Sequence, residues 1–257
     1  MSNILSLDRV MVMALCGCML SLSALASENE RTAEPAPPSS DPVLPVPRDR
    51  DYSWMPLAQW QKEHAENVAI AAKGEAELVF IGDSITASTR ASESWKKTFS
   101  AYRYVNFGIG GDSTQNVLWR LDHGEIGALK PKAVVLLIGT NNIGTTEHDV
   151  NDTVRGVTAV VNKLRNAFPL AKILVLGIFP RDEKTDAPVR AKVRAINAEL
   201  AKLDDGKAVF VRDIGKVFLE ADGTLSAAVS GDHLHLTEEG LRRWAEAIAP
   251  VVQKLMH

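Results

Sequence analysis

Cysteine is almost absent. Cys16 and Cys18 are the only two in 257 residues, and both fall within the first 26. A chain that sheds that stretch has neither thiol nor disulfide, so a disulfide scaffold is excluded and stability must come from an apolar core. Excess positive charge is missing too. A formal charge of −3 provides no field to draw nucleic acid or an anionic membrane. A run of ordinary spanning length is missing as well, which weighs against the alternative of an uncleaved membrane anchor: the apolar stretch Val10 to Leu25 has about 16 residues, interrupted by Gly17, Ser21 and Ser23, where a span usually needs about 20.

That stretch has a different reading. Arg9 precedes it and Ala24-Leu25-Ala26 closes it. A basic start, an apolar middle and a small-residue end mark a secretory signal, so residues 1–26 are expected to be cleaved and the protein exported to a periplasm or the exterior. Leu15-Cys16-Gly17-Cys18 also resembles a lipoprotein signal in which Cys18 would carry lipid; the match is imperfect, because Cys16 occupies its second position. Residues 27–50 hold Pro35, Pro37, Pro38, Pro42, Pro45 and Pro47 among Ser, Glu and Asp. They predict an extended tether with no core of its own.

From residue 51 to 257 apolar runs alternate with helical spacing. Glu77 to Ile81, Tyr104 to Phe107, Ala133 to Ile138, Ile173 to Leu176 and Ala208 to Val211 are short, and most are unbroken rather than alternating. Such runs fit parallel strands covered on both faces. Val150, Val154, Val157, Val161, Leu164 and Phe168 recur at steps of three and four, as do Val189, Val193, Ile196, Leu200 and Leu203. Leu241, Trp244, Ile248, Val251 and Leu255 form a last apolar stripe, with Thr237 placed to cap it and Pro250 to bend it. The expected fold is α/β: one three-layer α/β/α domain on a five-stranded parallel sheet, flavodoxin-like, with no second domain. The aromatic stretch Tyr52, Trp54 and Trp60 is read as packing a leading helix onto it, with a substrate platform as the alternative.

In such sheets ligands bind beyond the carboxyl ends of the strands, and the polar residues fall there. Gly82-Asp83-Ser84 follows the first strand, Gly108 to Asp112 the second, Gly139-Thr140-Asn141-Asn142 the third, and Asp232-His233-Leu234-His235 precedes the last helix. A serine hydroxyl is a poor nucleophile without a base. A histidine supplies one, and an Asp three residues before it can accept its Nδ1–H and leave Nε2 for the serine. Only His235 has that spacing from Asp232; His233 is adjacent and would point elsewhere. Glycine lets backbone N–H approach a substrate, and an Asn amide can donate to a developing oxyanion.

Each block has a competing reading. Gly-Asp-Ser is a common turn, and Gly139 to Asn142 could be a plain strand-to-helix turn. Gly108 to Gly111 misses the dinucleotide pattern, since Ser113 stands where its third Gly belongs. Thr86 breaks the G-x-S-x-G elbow of α/β-hydrolases. Asp232, His233 and His235 could bind a metal, but no third histidine stands beside them. No metal or cofactor is therefore expected, and chelator would separate the two chemistries.

Taken in order, the four blocks resemble the SGNH/GDSL hydrolase family, through Ser84, Gly111, Asn141 and His235. Asp232 matches that family's Asp three before the His. The stretches Asn106 to Thr114, Val117 to Leu121, Gly177 to Arg181 and His235-Leu236-Thr237 are similar to the branch that holds the catalytic subunits of platelet-activating-factor acetylhydrolase Ib. The resemblance implies a serine esterase with Ser84, Asp232 and His235 catalytic and an oxyanion hole of Ser84 N–H, Gly111 N–H and the Asn141 side chain. Only 27 residues separate Ser84 from Gly111, and 30 separate Gly111 from Asn141. That leaves no insertion for a lid, which favours short acyl esters, acetyl above all. Arg120 and Arg181 are candidates for the site mouth, against the alternative that both are surface arginines. The expected partner is a small acyl ester or an O-acetylated carbohydrate, with no nucleic acid and no membrane span after cleavage. An acyltransferase using the same residues and a non-catalytic carbohydrate-binding scaffold are the other readings.

Overall fold

The computed structural model describes residues 41–257. The expected signal peptide over 1–26, the lipidation position Cys18 and the first part of the tether lie outside the described residues.

Five parallel strands carry the fold: β1 Leu78–Gly82, β2 Tyr104–Gly108, β3 Ala133–Leu137, β4 Lys172–Leu176 and β5 Val209–Arg212. Their order is β2-β1-β3-β4-β5, the flavodoxin-like order, whose direction of winding reverses between β1 and β3. Gly82 pairs level with Gly108 on one side and with Leu137 on the other. The three loops that leave β1, β2 and β3 therefore start side by side.

Eight α-helices surround the sheet: α1 Leu57–Lys73, α2 Ser84–Ser88, α3 Glu93–Phe99, α4 Thr114–Arg120, α5 Thr140–Gly144, α6 Val150–Ala167, α7 Pro188–Leu200 and α8 Glu238–Met256. Strand side chains alternate between two cores. Val79, Ile81, Val134, Leu136, Ile173 and Val175 pack under α4, α6 and α7. Leu78, Phe80, Val135, Leu137 and Leu174 pack against α3 and α8, where Trp95 and Trp244 meet edge-on at 4.6 Å. Both faces are buried, which is why the strands read as unbroken apolar runs. Thr237 caps α8 as its position predicts, its Oγ1 accepting from Gly240 N–H at 3.3 Å, and α8 runs on through Pro250 to Met256. No helix among the described residues is long and apolar enough to cross a membrane.

The tether expected over 27–50 needs correcting at its end, because residues 41–50 lie on the domain. Thr114 Oγ1 donates to Pro42 O at 3.0 Å, Asn116 Nδ2 donates to Val46 O at 3.0 Å, and Val46 N–H donates to Gln115 O at 3.2 Å. Prolines have no N–H to give, but the carbonyls of this extended segment remain free to accept, and polar side chains at the start of α4 supply the donors. The domain boundary therefore precedes residue 51.

Candidate active site

Ser84 opens α2 at the carboxyl end of β1. Asp83 caps that helix, its Oδ1 accepting from Ile85 N–H at 2.9 Å. α2 crosses so close to β2 that a β-carbon at Gly108 would strike the backbone of Asp83 and Ala87. The Ser84 hydroxyl lies 2.9 Å from His235 Nε2. On the other side of the ring, His235 Nδ1 is 2.7 Å from Asp232 Oδ2. Asp232 Oδ1 accepts from the backbone N–H groups of His235 at 2.7 Å and Leu234 at 3.0 Å. Burial raises the Asp232 carboxyl, but the hydrogen bonds from the His235 ring and those two N–H groups outweigh it and hold it below its ordinary value. An ionised Asp232 in that position can hold the tautomer that presents Nε2 as acceptor to the serine. The loop itself is pinned by Ser230, whose buried hydroxyl donates to His235 O at 2.8 Å.

His233 turns away, as its place next to Asp232 predicts. It sits at φ 56° and its Nδ1 meets Leu225 O at 2.8 Å. Asp232, His233 and His235 do not converge on one point, and among the described residues no group of three such side chains does so.

Across the pocket stand three donors. The backbone N–H groups of Ser84 and Gly111 meet no acceptor among the described residues. Asn141, in the first turn of α5, spends one amide hydrogen on Asp112 O at 2.8 Å and keeps the other. Gly111 has φ 77°, and a β-carbon there would run into the Trp54 ring and the Arg48 guanidinium. Only glycine suits both its backbone and its space. Ser84, Gly111, Asn141 and His235 line one pocket of about 270 Å³ with Trp54, Thr145, Arg181 and Leu234.

Residues 80–243 match the model of the GDSL-like lipase/acylhydrolase family. The chain belongs to that family. The platelet-activating factor acetylhydrolase IB subunit alpha1 of Rattus norvegicus is 36% identical over 220 residues, covering 85% of this chain and 90% of its own. The alpha2 subunit of the same species is 36% identical over 200 residues, covering 77% and 85%. A GDSL-like lipase from Bacteroides thetaiotaomicron superposes with a TM-score of 0.63 at 21% identity, over 77% of this chain and 98% of that one, and shares the fold. This GDSL hydrolase is thus an enzyme of ester hydrolysis.

Two expectations about the hydrolase's arginines separate here. Arg181 does border the pocket, with Nη1 donating to Thr140 O at 3.0 Å. Arg120 is neither at the mouth nor on the surface. It is 0% exposed. Its Nε bonds Asp112 Oδ2 at 2.7 Å, Nη1 bonds Glu125 and Phe107 O, and Nη2 reaches Gly82 O at 3.3 Å. A guanidinium has five donors, and two carboxylates with two strand-end carbonyls take up four of them. Arg120 thus ties together the ends of β1 and β2 beneath the 108–112 loop.

Sequence reasoning left the aromatic stretch divided between packing and a substrate platform, and it missed Asp83. Trp54 is 60% exposed and walls the pocket, stacked on Tyr52 at 5.1 Å, whereas Trp60 is the core residue, its Nε1 donating to Asp112 Oδ1 at 2.7 Å. The aromatic stretch therefore divides between packing and the pocket. In the sequence Asp83 is a member of the Gly82-Asp83-Ser84 block with no role of its own. It is buried, its Oδ2 has no partner, and burial raises its carboxyl to about 7. Nothing in a Gly-Asp-Ser tripeptide signals that.

Proposed function

We propose that this GDSL hydrolase cleaves short-chain carboxylic esters, acetyl esters above all, by a Ser84-His235-Asp232 mechanism. The observation that supports it most is the pair of contacts on His235, 2.9 Å to Ser84 Oγ and 2.7 Å to Asp232 Oδ2. His235 takes the serine proton as Oγ attacks the ester carbonyl. The carbonyl oxygen becomes an oxyanion that Ser84 N–H, Gly111 N–H and Asn141 Nδ2 can receive. The C–O bond to the alcohol then breaks, and His235 returns its proton to that alcohol. Water, deprotonated by the same ring, attacks the acyl-enzyme and releases the acid and free Ser84.

The acetyl preference rests on the size of the pocket, about 270 Å³, and on the short segments between its blocks. With p-nitrophenyl esters, kcat/KM is expected to be highest for acetate and to fall as the acyl chain lengthens. A faster rate for a twelve-carbon chain than for acetate overturns the preference.

Export belongs to the same proposal, and the leader pattern over residues 1–26 supports it. O-acetylated carbohydrate outside the cytoplasm is then a reachable substrate. The mature chain expressed in a bacterium is expected to begin at Ser27; recovery with Met1 intact in the cytoplasm would remove this part.

A further inference from the structure

A second cavity of about 220 Å³ adjoins the catalytic pocket and shares Gly111, Asn141 and Thr145 with it. It lies on the side of the oxyanion donors, away from His235. Ser113 and Asn116 line it from the start of α4, and Arg48 closes it from the segment that precedes α1.

Arg48 is an unusual wall. Only 6% of it is exposed, and among the described residues it has no carboxylate in ion-pair contact. Nη2 donates to Gly110 O. The guanidinium lies 4.5 Å over the Tyr52 ring and 5.6 Å from that of Trp54. Among the described residues Nη1 has no hydrogen-bond partner. A guanidinium does not lose its proton inside a protein; Asp112 and Glu63 attract this one from beyond ion-pair distance, but a buried cation with an unpaired N–H remains costly. The aromatic faces offset part of that cost, and an acceptor for Nη1 is still wanting. The other charges on the wall do not supply it: Asp49 is engaged by Arg50 at 2.9 and 3.2 Å. Counting Arg48, Asp49 and Arg50 leaves the lining with one net positive charge.

We propose that this cavity is an anion subsite, in which Arg48 binds a carboxylate or phosphate carried by the substrate while its ester lies at Ser84. This rests on the catalytic reading above and narrows its substrate class to esters of acidic alcohols, such as acetylated sugar acids or sugar phosphates. The anion completes the bonding of Nη1, and a charged acceptor makes the stronger hydrogen bond there.

The test compares three acetyl esters built on one sugar ring: O-acetylated glucose, O-acetylated glucuronate and O-acetylated glucose 6-phosphate. In the wild-type enzyme, kcat/KM for one of the two anionic esters is expected to exceed that of the neutral one by about tenfold or more, on the order of a charge-assisted hydrogen bond. Which of the two is favoured tells carboxylate from phosphate. In Arg48→Gln that ratio falls towards one, whatever common loss the variant shows. Equal rates for all three in the wild type, or a preference that Arg48→Gln leaves unmoved, overturn the subsite. Should Arg48→Gln not fold, glucuronate or inorganic phosphate is expected to inhibit wild-type hydrolysis of p-nitrophenyl acetate competitively, more weakly at high salt, and glucose not to; absence of inhibition by either anion also overturns it. Failure to hydrolyse any ester would instead remove the catalytic reading, so the two failures are distinct.

Discussion

Ser84→Ala is expected to lower kcat by roughly four to six orders of magnitude and to leave the unfolding midpoint close to that of the wild type. Both halves follow from where the hydroxyl stands. Ser84 is only partly buried, and its side chain makes a single hydrogen bond, to His235 Nε2. Removing Oγ empties no core and orphans no buried donor. The α2 turn keeps its Asp83 cap, so the backbone N–H of residue 84 stays in place. Chemistry should suffer in full, because among the described residues no other nucleophilic side chain borders the 270 Å³ pocket with a base in reach; Thr145 lines it, but the imidazole there, His235, is already turned to Ser84. On the proposed mechanism the residual turnover would come from the oxyanion donors acting on water, and no acyl-enzyme should form. Mass spectrometry of the enzyme quenched during turnover reads that directly: an added acetyl group on the wild type, none on the variant. A loss of less than about tenfold in kcat would mean that another group attacks, and the role given to Ser84 would have to be withdrawn.

The parts of this molecule that the sequence makes legible share one property: they depend on local pattern. β1, β3 and β4 are short, apolar and unbroken because both faces of the sheet are covered, and a run of that kind announces itself. His235 could be told from His233 because the three-residue spacing lets the Asp232 carboxylate take the His235 backbone N–H and its ring together, at 2.7 Å each. The parts that were not legible depend on which distant residues meet. Pro42, Pro45 and Pro47 look like a tether whether or not anything donates to the carbonyls around them, and the donors come from α4, about 70 residues away. Arg48 was hidden in the same stretch. Trp54 and Trp60 are alike in composition and neighbourhood, yet one meets Asp112 in the core and the other lies against Gly111 at the pocket. Arg120 was misplaced for the opposite reason. A lone arginine belongs at the surface by default, and only the meeting of Asp112 and Glu125 around it reverses that default.

Arg120→Met is therefore expected to be among the most damaging single changes outside the chemistry. Methionine fills much of the volume, so little of the cost is a cavity. The cost is electrostatic. Asp112 and Glu125 are both fully buried, and Arg120 is the one guanidinium bonded to both. Burial already pushes the Asp112 carboxyl up to about 6 against the pull of Arg120, Trp60 and Arg48. Without the guanidinium the two acids must either stay charged in a dry site or take up protons. Breaking such a pair from one side costs about 3–5 kcal/mol, or roughly 6–20 °C in midpoint for a domain of this size. Denaturant unfolding at neutral pH measures it. Protonation repairs the charge imbalance, so the difference from wild type narrows as pH falls from 7 towards 5; that narrowing separates lost pairing from lost packing, which does not titrate. Neutralising both carboxylates in the same background, as Asp112→Asn and Glu125→Gln, is expected to restore part of the stability for the same reason. Asp112 O also accepts from Asn141 and adjoins Gly111, so whatever folded Arg120→Met remains should show a lower kcat through a loosened 108–112 loop. A destabilisation below about 1 kcal/mol, the scale of an exposed pair, would mean that the three charges do not form the buried cluster described.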